Sequence, residues 1–206
     1  MNTLDIIKKN NKIVISKKGN FMRIIGGKAR GTKLYTLDGN NTRPTLDRVK
    51  ESMFNIIQND IQDTVFLDLF SGSGAIGLEA ISRGAKKAIL CDKSKDAINI
   101  IKKNIVKTKF EKQIELYELS YNKVLTNMIK EKIDIIYIDP PYETNFAYEA
   151  LKIILDKDLI TQESTIIVET DREELEKQIE NLNVKIVSKR KYGRVYLIFL
   201  KRVDEI

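Results

Sequence analysis

The chain has no histidine and no tryptophan, a single cysteine, three prolines, and no apolar run longer than a strand in its 206 residues. Without histidine, the side chain most used as a base near neutral pH and as a zinc ligand is missing. Chemistry must therefore run on carboxylates, backbone groups and a cofactor, and no metal is expected. One cysteine, Cys91, forms no internal disulfide, so the chain does not require an oxidising compartment and a cytoplasmic location is expected. Apolar runs such as Val65-Phe66-Leu67 and Ile135-Ile136-Tyr137-Ile138 fall far short of the roughly 20 residues that span a bilayer, which argues against a membrane partner. The first residues scatter Asp5, Lys8, Lys9 and Lys12 among short apolar pieces, unlike a secretory signal. A hydrophobic content of 42% suits one well-buried core, and a monomer is the simplest expectation.

What charge there is lies unevenly. Residues 1–50 carry twelve Lys or Arg against three Asp, whereas residues 51–206 carry 24 basic and 26 acidic groups. Such asymmetry is the electrostatic footprint of a polyanion-binding face, a solvated Lys-rich tail being the plainer alternative. A smaller cluster, Lys189, Arg190, Lys191 and Arg194, could complete the same face.

Residues 1–21 lack periodicity and read as a flexible extension with at most a weak strand at Ile13 to Ile15. Residues 22–206 read as a single domain, in which 22–45 form a basic hairpin and linker and 46–206 the catalytic core. The hairpin turns around Gly26-Gly27, and Thr45 can cap a helix over 46–58 with an apolar stripe of Val49, Met53, Ile56 and Ile57. Beyond residue 64, strands at 65–69, 88–91, 114–118, 133–138 and 165–169 alternate with helices at 74–83, 95–108, 121–130, 146–156 and 173–181. Continuously apolar strands imply burial on both faces, hence a doubly wound α/β fold on a parallel sheet. The last two strands, 184–188 and 195–200, are joined too closely for a parallel crossover and should form an antiparallel edge hairpin.

Three motifs carry chemistry. In Asp68-Leu69-Phe70-Ser71-Gly72-Ser73-Gly74-Ala75-Ile76-Gly77 a strand breaks into a glycine-rich turn that opens a helix. Such a turn lets backbone approach a ligand. The loop lacks a P-loop lysine, and Asp68 would repel a pyrophosphate but suits the ammonium of a methionine moiety. Asp92 ends the next strand about 20 residues after the loop, placed to accept the ribose hydroxyls of a nucleoside. Cys91 beside it reads as a buried strand residue rather than a nucleophile. Finally, Asp139-Pro140-Pro141-Tyr142 follows the most apolar strand. Its prolines stiffen the turn, so the Asp139 carboxylate and Pro140 carbonyl can accept hydrogen bonds from an aryl amine while Tyr142 stacks on its ring. An aryl amine is a poor nucleophile, and these acceptors favour its pyramidal form during attack on a sulfonium methyl.

These motifs resemble the class I S-adenosylmethionine (SAM) dependent methyltransferases of the (Asp/Asn)-Pro-Pro-(Tyr/Phe) amino type. More closely, the chain resembles the RsmD family of bacterial 16S rRNA guanine-N2 methyltransferases, from Met22 to Lys201. The carriers are Arg23-Ile-Ile-Gly-Gly, Thr42-Arg43-Pro44-Thr45-Leu46-Asp47-Arg48-Val49-Lys50-Glu51, the glycine loop, Ser82-Arg83-Gly84-Ala85 and Asp139-Pro-Pro-Tyr. The resemblance implies a Rossmann-like, seven-stranded sheet, SAM as cofactor, and one guanine of 16S rRNA or of a small-subunit assembly particle as substrate. It implies Asp68, Ser71, Gly72, Gly74, Asp92 and, near the adenine, Ser120 as cofactor residues, and Asp139, Pro140 and Tyr142 as the catalytic set. Arg23, Lys28, Arg30, Lys33, Arg43 and Arg48 would hold RNA. A DNA adenine-N6 or protein-glutamine methyltransferase is the alternative, since both use Pro-Pro-Tyr acceptors. A non-enzymatic RNA-binding module would lack the intact loop and acceptors found here.

Overall fold

A computed structural model of the chain describes residues 22–37, 44–172 and 174–203, with backbone alone for 44–47. The expected extension over 1–21 and Arg43 lie outside the described residues. In chain order the elements are β1 (Met22–Arg23), β2 (Lys33–Leu34), α1 (Pro44–Ile56), β3 (Val65–Asp68), α2 (Ala75–Ser82), β4 (Lys87–Cys91), α3 (Lys95–Thr108), β5 (Ile114–Tyr117), α4 (Tyr121–Lys123), β6 (Ile135–Ile138), α5 (Phe146–Asp156), β7 (Thr165–Thr170), α6 (Glu174–Ile179), β8 (Val184–Tyr192) and β9 (Val195–Arg202).

Every residue of β6 and β7 is buried, as strands covered by helices on both faces must be. The main sheet has seven strands in the order β5-β4-β3-β6-β7-β9-β8, with β9 antiparallel to both of its neighbours. The order reverses between β3 and β6. In open α/β sheets a ligand crevice opens there, beyond the carboxyl ends of the strands. One core packs β1, β2, α1, α2 and α3 against one sheet face, and a second packs α4, α5 and α6 against the other. Among the described residues no helix is long and apolar enough to cross a membrane.

The basic hairpin forms, but its chain does not reverse around Gly26-Gly27 alone. β1 and β2 pair antiparallel for two residues each, Met22 opposite Leu34 and Arg23 opposite Lys33, and the nine residues between them form a long loop. That loop docks on the end of α2. Gly27 has φ +71°, and a Cβ there would lie 1.8 Å from the Ser82 carbonyl oxygen, so only glycine permits the approach. Glu79, fully buried in α2, holds the dock together. Its carboxylate accepts from the Ile25 and Gly26 amides at 2.8 and 2.7 Å, and pairs with Lys50 at 3.2 Å and Arg83 at 2.8 Å. At the open end, buried Asn104 of α3 accepts from the Tyr35 amide at 2.8 Å and donates to the carbonyls of Tyr35 and Ser73.

Several boundaries differ from the sequence reading. The helix expected to be capped by Thr45 starts at Pro44, so Thr45 lies inside it; proline suits a first helical position because its missing N–H has no helical acceptor there. Its buried stripe is Val49, Met53 and Phe54, continued by Ile57 just past its end, while Ile56 is 38% exposed. The helix expected over 121–130 shrinks to α4 followed by a π-helical turn, Val124–Met128. β8 runs on through Tyr192, so Lys189, Arg190 and Lys191 belong to a strand and the hairpin turns at Gly193 and Arg194.

Removing one partner of a buried ion pair strands the other charge, a loss of roughly 3–5 kcal/mol. Glu79→Gln should therefore lower the denaturant midpoint by several kcal/mol of stability and expose the 24–32 loop to protease. A midpoint within 1 kcal/mol of wild type, on the order of a surface substitution, would contradict this account of the dock.

Candidate active site

The glycine loop lies at the carboxyl end of β3. Gly72 and Gly74 have φ +54° and +77°, and a Cβ on Gly72 would meet nothing within 4 Å, so its backbone faces open space. Gly74 precedes the first residue of α2. The Gly72 amide donates to Asp92 Oδ2 at 2.9 Å and the Ser94 amide to Oδ1 at 2.8 Å, which fixes the half-buried Asp92 carboxylate at the end of β4. Ser71 is committed to structure. Its hydroxyl donates to the Asp68 carbonyl at 2.9 Å and accepts from the Cys91 amide at 3.0 Å, stapling β3 to β4. Ser120, half-buried after β5, donates to Asn122 Oδ1 at 2.6 Å. Cys91 is buried with its thiol on the Leu119 carbonyl, and burial pushes its pKa up to about 12. It is no nucleophile at neutral pH.

Asp68 is buried, and neither carboxylate oxygen completes a hydrogen bond within the chain. Burial pushes its pKa up to about 7; the nearby amides of Gly77 and Phe70 offset this only in part, and the Asp92 charge adds to it. Across the switch point, Asp139 and Pro140 follow β6 directly. Burial raises the Asp139 pKa well above the usual carboxylate range, and the charges of Glu169 and Asp68 raise it further.

Glu169 went unnoticed in the sequence. It lies buried near the carboxyl end of β7, where its carboxylate accepts from the Tyr137 phenol at 2.5 Å and the Tyr142 phenol at 3.2 Å. Tyr142, half-buried, is thus held by its tip, leaving its ring as a fixed platform beside Asp139. Among the described residues no Lys or Arg forms an ion pair with Asp68, Asp92, Asp139 or Glu169. The crevice gathers acids that no cation among the described residues compensates. It would repel a phosphate and attract a cationic ligand.

The family model described as Conserved hypothetical protein 95 matches residues 22–201. The chain belongs to this family. A relative in Haemophilus influenzae, Ribosomal RNA small subunit methyltransferase D, is 34% identical over 74% of this chain and 80% of its own length. Its namesake in Buchnera aphidicola is 30% identical over 91% of this chain and 92% of its own. Among solved structures, yhhF from Escherichia coli superposes with a TM-score of 0.78 at 30% identity, covering 90% of this chain and all of that one.

In this family member the residues expected to hold RNA are spread out. Arg23 and Lys33 are exposed opposite each other on β1 and β2, and Arg48 is exposed on α1. Lys28 and Arg30 lie at the far tip of the hairpin. The Lys28 amide donates to the Ser82 carbonyl at 2.8 Å and its ammonium to Gln113 Oε1 at 2.9 Å, at the amino end of β5. That is the edge of the sheet opposite Asp139 and Tyr142.

If Glu169 acts by holding the Tyr142 phenol, Glu169→Gln and Tyr142→Phe should each slow methyl transfer by about tenfold, the loss of one hydrogen bond. Combined, they should cost scarcely more than either alone. Strictly additive losses in the double variant would show that Glu169 works through some other contact.

Proposed function

We propose that this chain transfers a methyl group from SAM to the exocyclic N2 amine of a guanine in small-subunit rRNA. The observation that carries the reading is the pairing, across one switch point, of the unpartnered buried Asp68 with the acceptor loop Asp139-Pro140-Pro141-Tyr142. The substrate class follows the name shared by the relatives, Ribosomal RNA small subunit methyltransferase D. An adenine-N6 or glutamine acceptor would fit the same loop, and the relatives' name favours the guanine of 16S rRNA, as free RNA or in an assembling particle.

The residues present fit SAM. Asp68 needs a cation, which an α-ammonium supplies; Asp92, anchored by Gly72 and Ser94, keeps lone pairs for two ribose hydroxyls; Gly72 and Gly74 leave backbone open to the ligand. Ser120 stands at the loop expected to meet the adenine. SAM supplies an electrophilic methyl on a positive sulfur, and the acidic crevice stabilises that charge. Asp139 and the Pro140 carbonyl accept from the two N–H bonds of the amine, turning its lone pair toward the methyl carbon while the Tyr142 ring holds the base. On accepting the methyl group, with the sulfur as leaving group, the amine nitrogen would have one proton to shed. In its charged form Asp139 would be placed to take it, and burial raises its affinity for protons.

Two outcomes test the reading. With Asp68 titrating at about 7, its protonated form cannot hold an ammonium, so SAM affinity should fall as pH drops below 7, approaching tenfold per unit near pH 5 to 6 by linkage. Calorimetry showing affinity independent of pH over that span would rule out Asp68 as the ammonium site. In single-turnover transfer to small-subunit particles lacking this modification, Asp139→Ala should keep SAM binding and lose about 10²-fold in rate. Wild-type rates, or a methyl mapped to a ring carbon by mass spectrometry, would overturn the assigned role.

A further inference from the structure

The hairpin tip and the crevice lie at opposite edges of the sheet, and one surface runs between them. α3 starts just after Asp92, at the crevice edge, and ends at Thr108, at the tip edge. Its 14 residues give a path of about 20 Å. The hairpin packs along this helix. Tyr35 is bonded through its backbone to Asn104, Lys107 lies 4.4 Å over the Tyr35 ring, and Lys28 lies 4.8 Å over the Phe110 ring.

The outward face of α3 and the turn after it carry exposed Lys95, Lys102, Lys103, Lys107, Lys109 and Lys112, against Asp96 and Glu111. None of these six forms an ion pair among the described residues. Elsewhere lysines do find carboxylates: Lys87 with Glu115 and Glu131, Lys132 with Asp158, Lys189 with Glu176. Tyr35, 37% exposed, and Val106, 64% exposed, interrupt the cations with surface able to pack on sugars or bases. Counting charge along the chain hides this face, because residues 51–206 are net acidic as a whole.

We infer that α3, with β2 and Tyr35 beside it, is a backbone-tracking RNA surface that leads from the hairpin tip to the mouth of the crevice. The inference rests on the reading of this chain as an RNA methyltransferase. Lys102, Lys103 and Lys107 lie on the α3 side of that path, Arg23, Arg30 and Lys33 on the hairpin side. RNA phosphates along α3 would release counterions as lysines replace them. The contact would set affinity and orientation, leaving base choice to the crevice.

The test is the salt dependence of binding of the full chain to an RNA duplex of roughly two turns, a length that spans a typical duplex-binding surface. The triple variant Lys102→Gln, Lys103→Gln, Lys107→Gln is compared with Lys152→Gln, Lys157→Gln, Lys185→Gln, which removes the same charge from the opposite face and the β8 edge. The first should lower the slope of log affinity against log salt by about two to three units, and the second by less than one. SAM affinity should be unchanged in both. Equal slopes in the two variants would overturn the proposal. Failure of the wild type to methylate small-subunit RNA while binding duplex with a slope that the α3 variant reduces would instead overturn the substrate reading and leave the surface standing.

Discussion

Burying a carboxylate without a cation is among the least favourable things a fold can do, and this chain gathers two of them, Asp68 and Glu169, beside the half-buried Asp139, at the carboxyl ends of β3, β7 and β6. The parallel sheet imposes the arrangement: side chains at those ends face one crevice, so acids placed there on adjacent strands must sense one another. Glu79 shows what the same fold does with an acid kept for stability. It meets Lys50, Arg83 and two amides, and has no lone pair wasted. The contrast separates a structural carboxylate from carboxylates held ready for a positively charged ligand.

That tension also explains the supporting residues. Glu169 is tolerated because the phenols of Tyr137 and Tyr142 donate to it, and the same bonds fix the Tyr142 ring. Asp92 is held by two amides, which aim its carboxylate without a cation. Ser71 spends its hydroxyl on backbone at the junction of β3 and β4, so its contribution to a cofactor would come through the shape of the loop.

The central strands, the glycine loop and the acceptor loop are legible in the sequence because local patterns specify them, namely runs apolar on both faces, glycines at turn spacing and paired prolines, whereas the order of the strands comes only with the family resemblance. Long-range partners are not legible. Nothing local in Val168-Glu169-Thr170 announces that its acid meets a phenol 27 residues upstream, although an acid at the end of a buried strand was the signal that did identify Asp92. Glu79 is the lone charge within α2, and helix periodicity says which face is buried but not what lies opposite. The basic hairpin is legible too, but not where it reverses, since Gly26 and Gly27 serve close packing on α2.

The hairpin's docking has a consequence for the cofactor loop. Asn104 ties Tyr35 to the carbonyl of Ser73, and the Ser73 hydroxyl reaches the Met22 sulfur at 3.5 Å, so both ends of the hairpin touch the loop that Gly72 and Gly74 shape. At its other end the hairpin is fixed by Glu79 on α2, the helix that the same loop opens. Hairpin, α2 and glycine loop are therefore linked at two points about a helix apart, as one packed body rather than an arm appended to a core. A hairpin held so tightly offers its cations to a polyanion at little further entropic cost, because their backbone is already ordered before any ligand arrives. What such a rigid face gains in affinity it gives up in reach: RNA engaged on it must bring the target base to the crevice along α3.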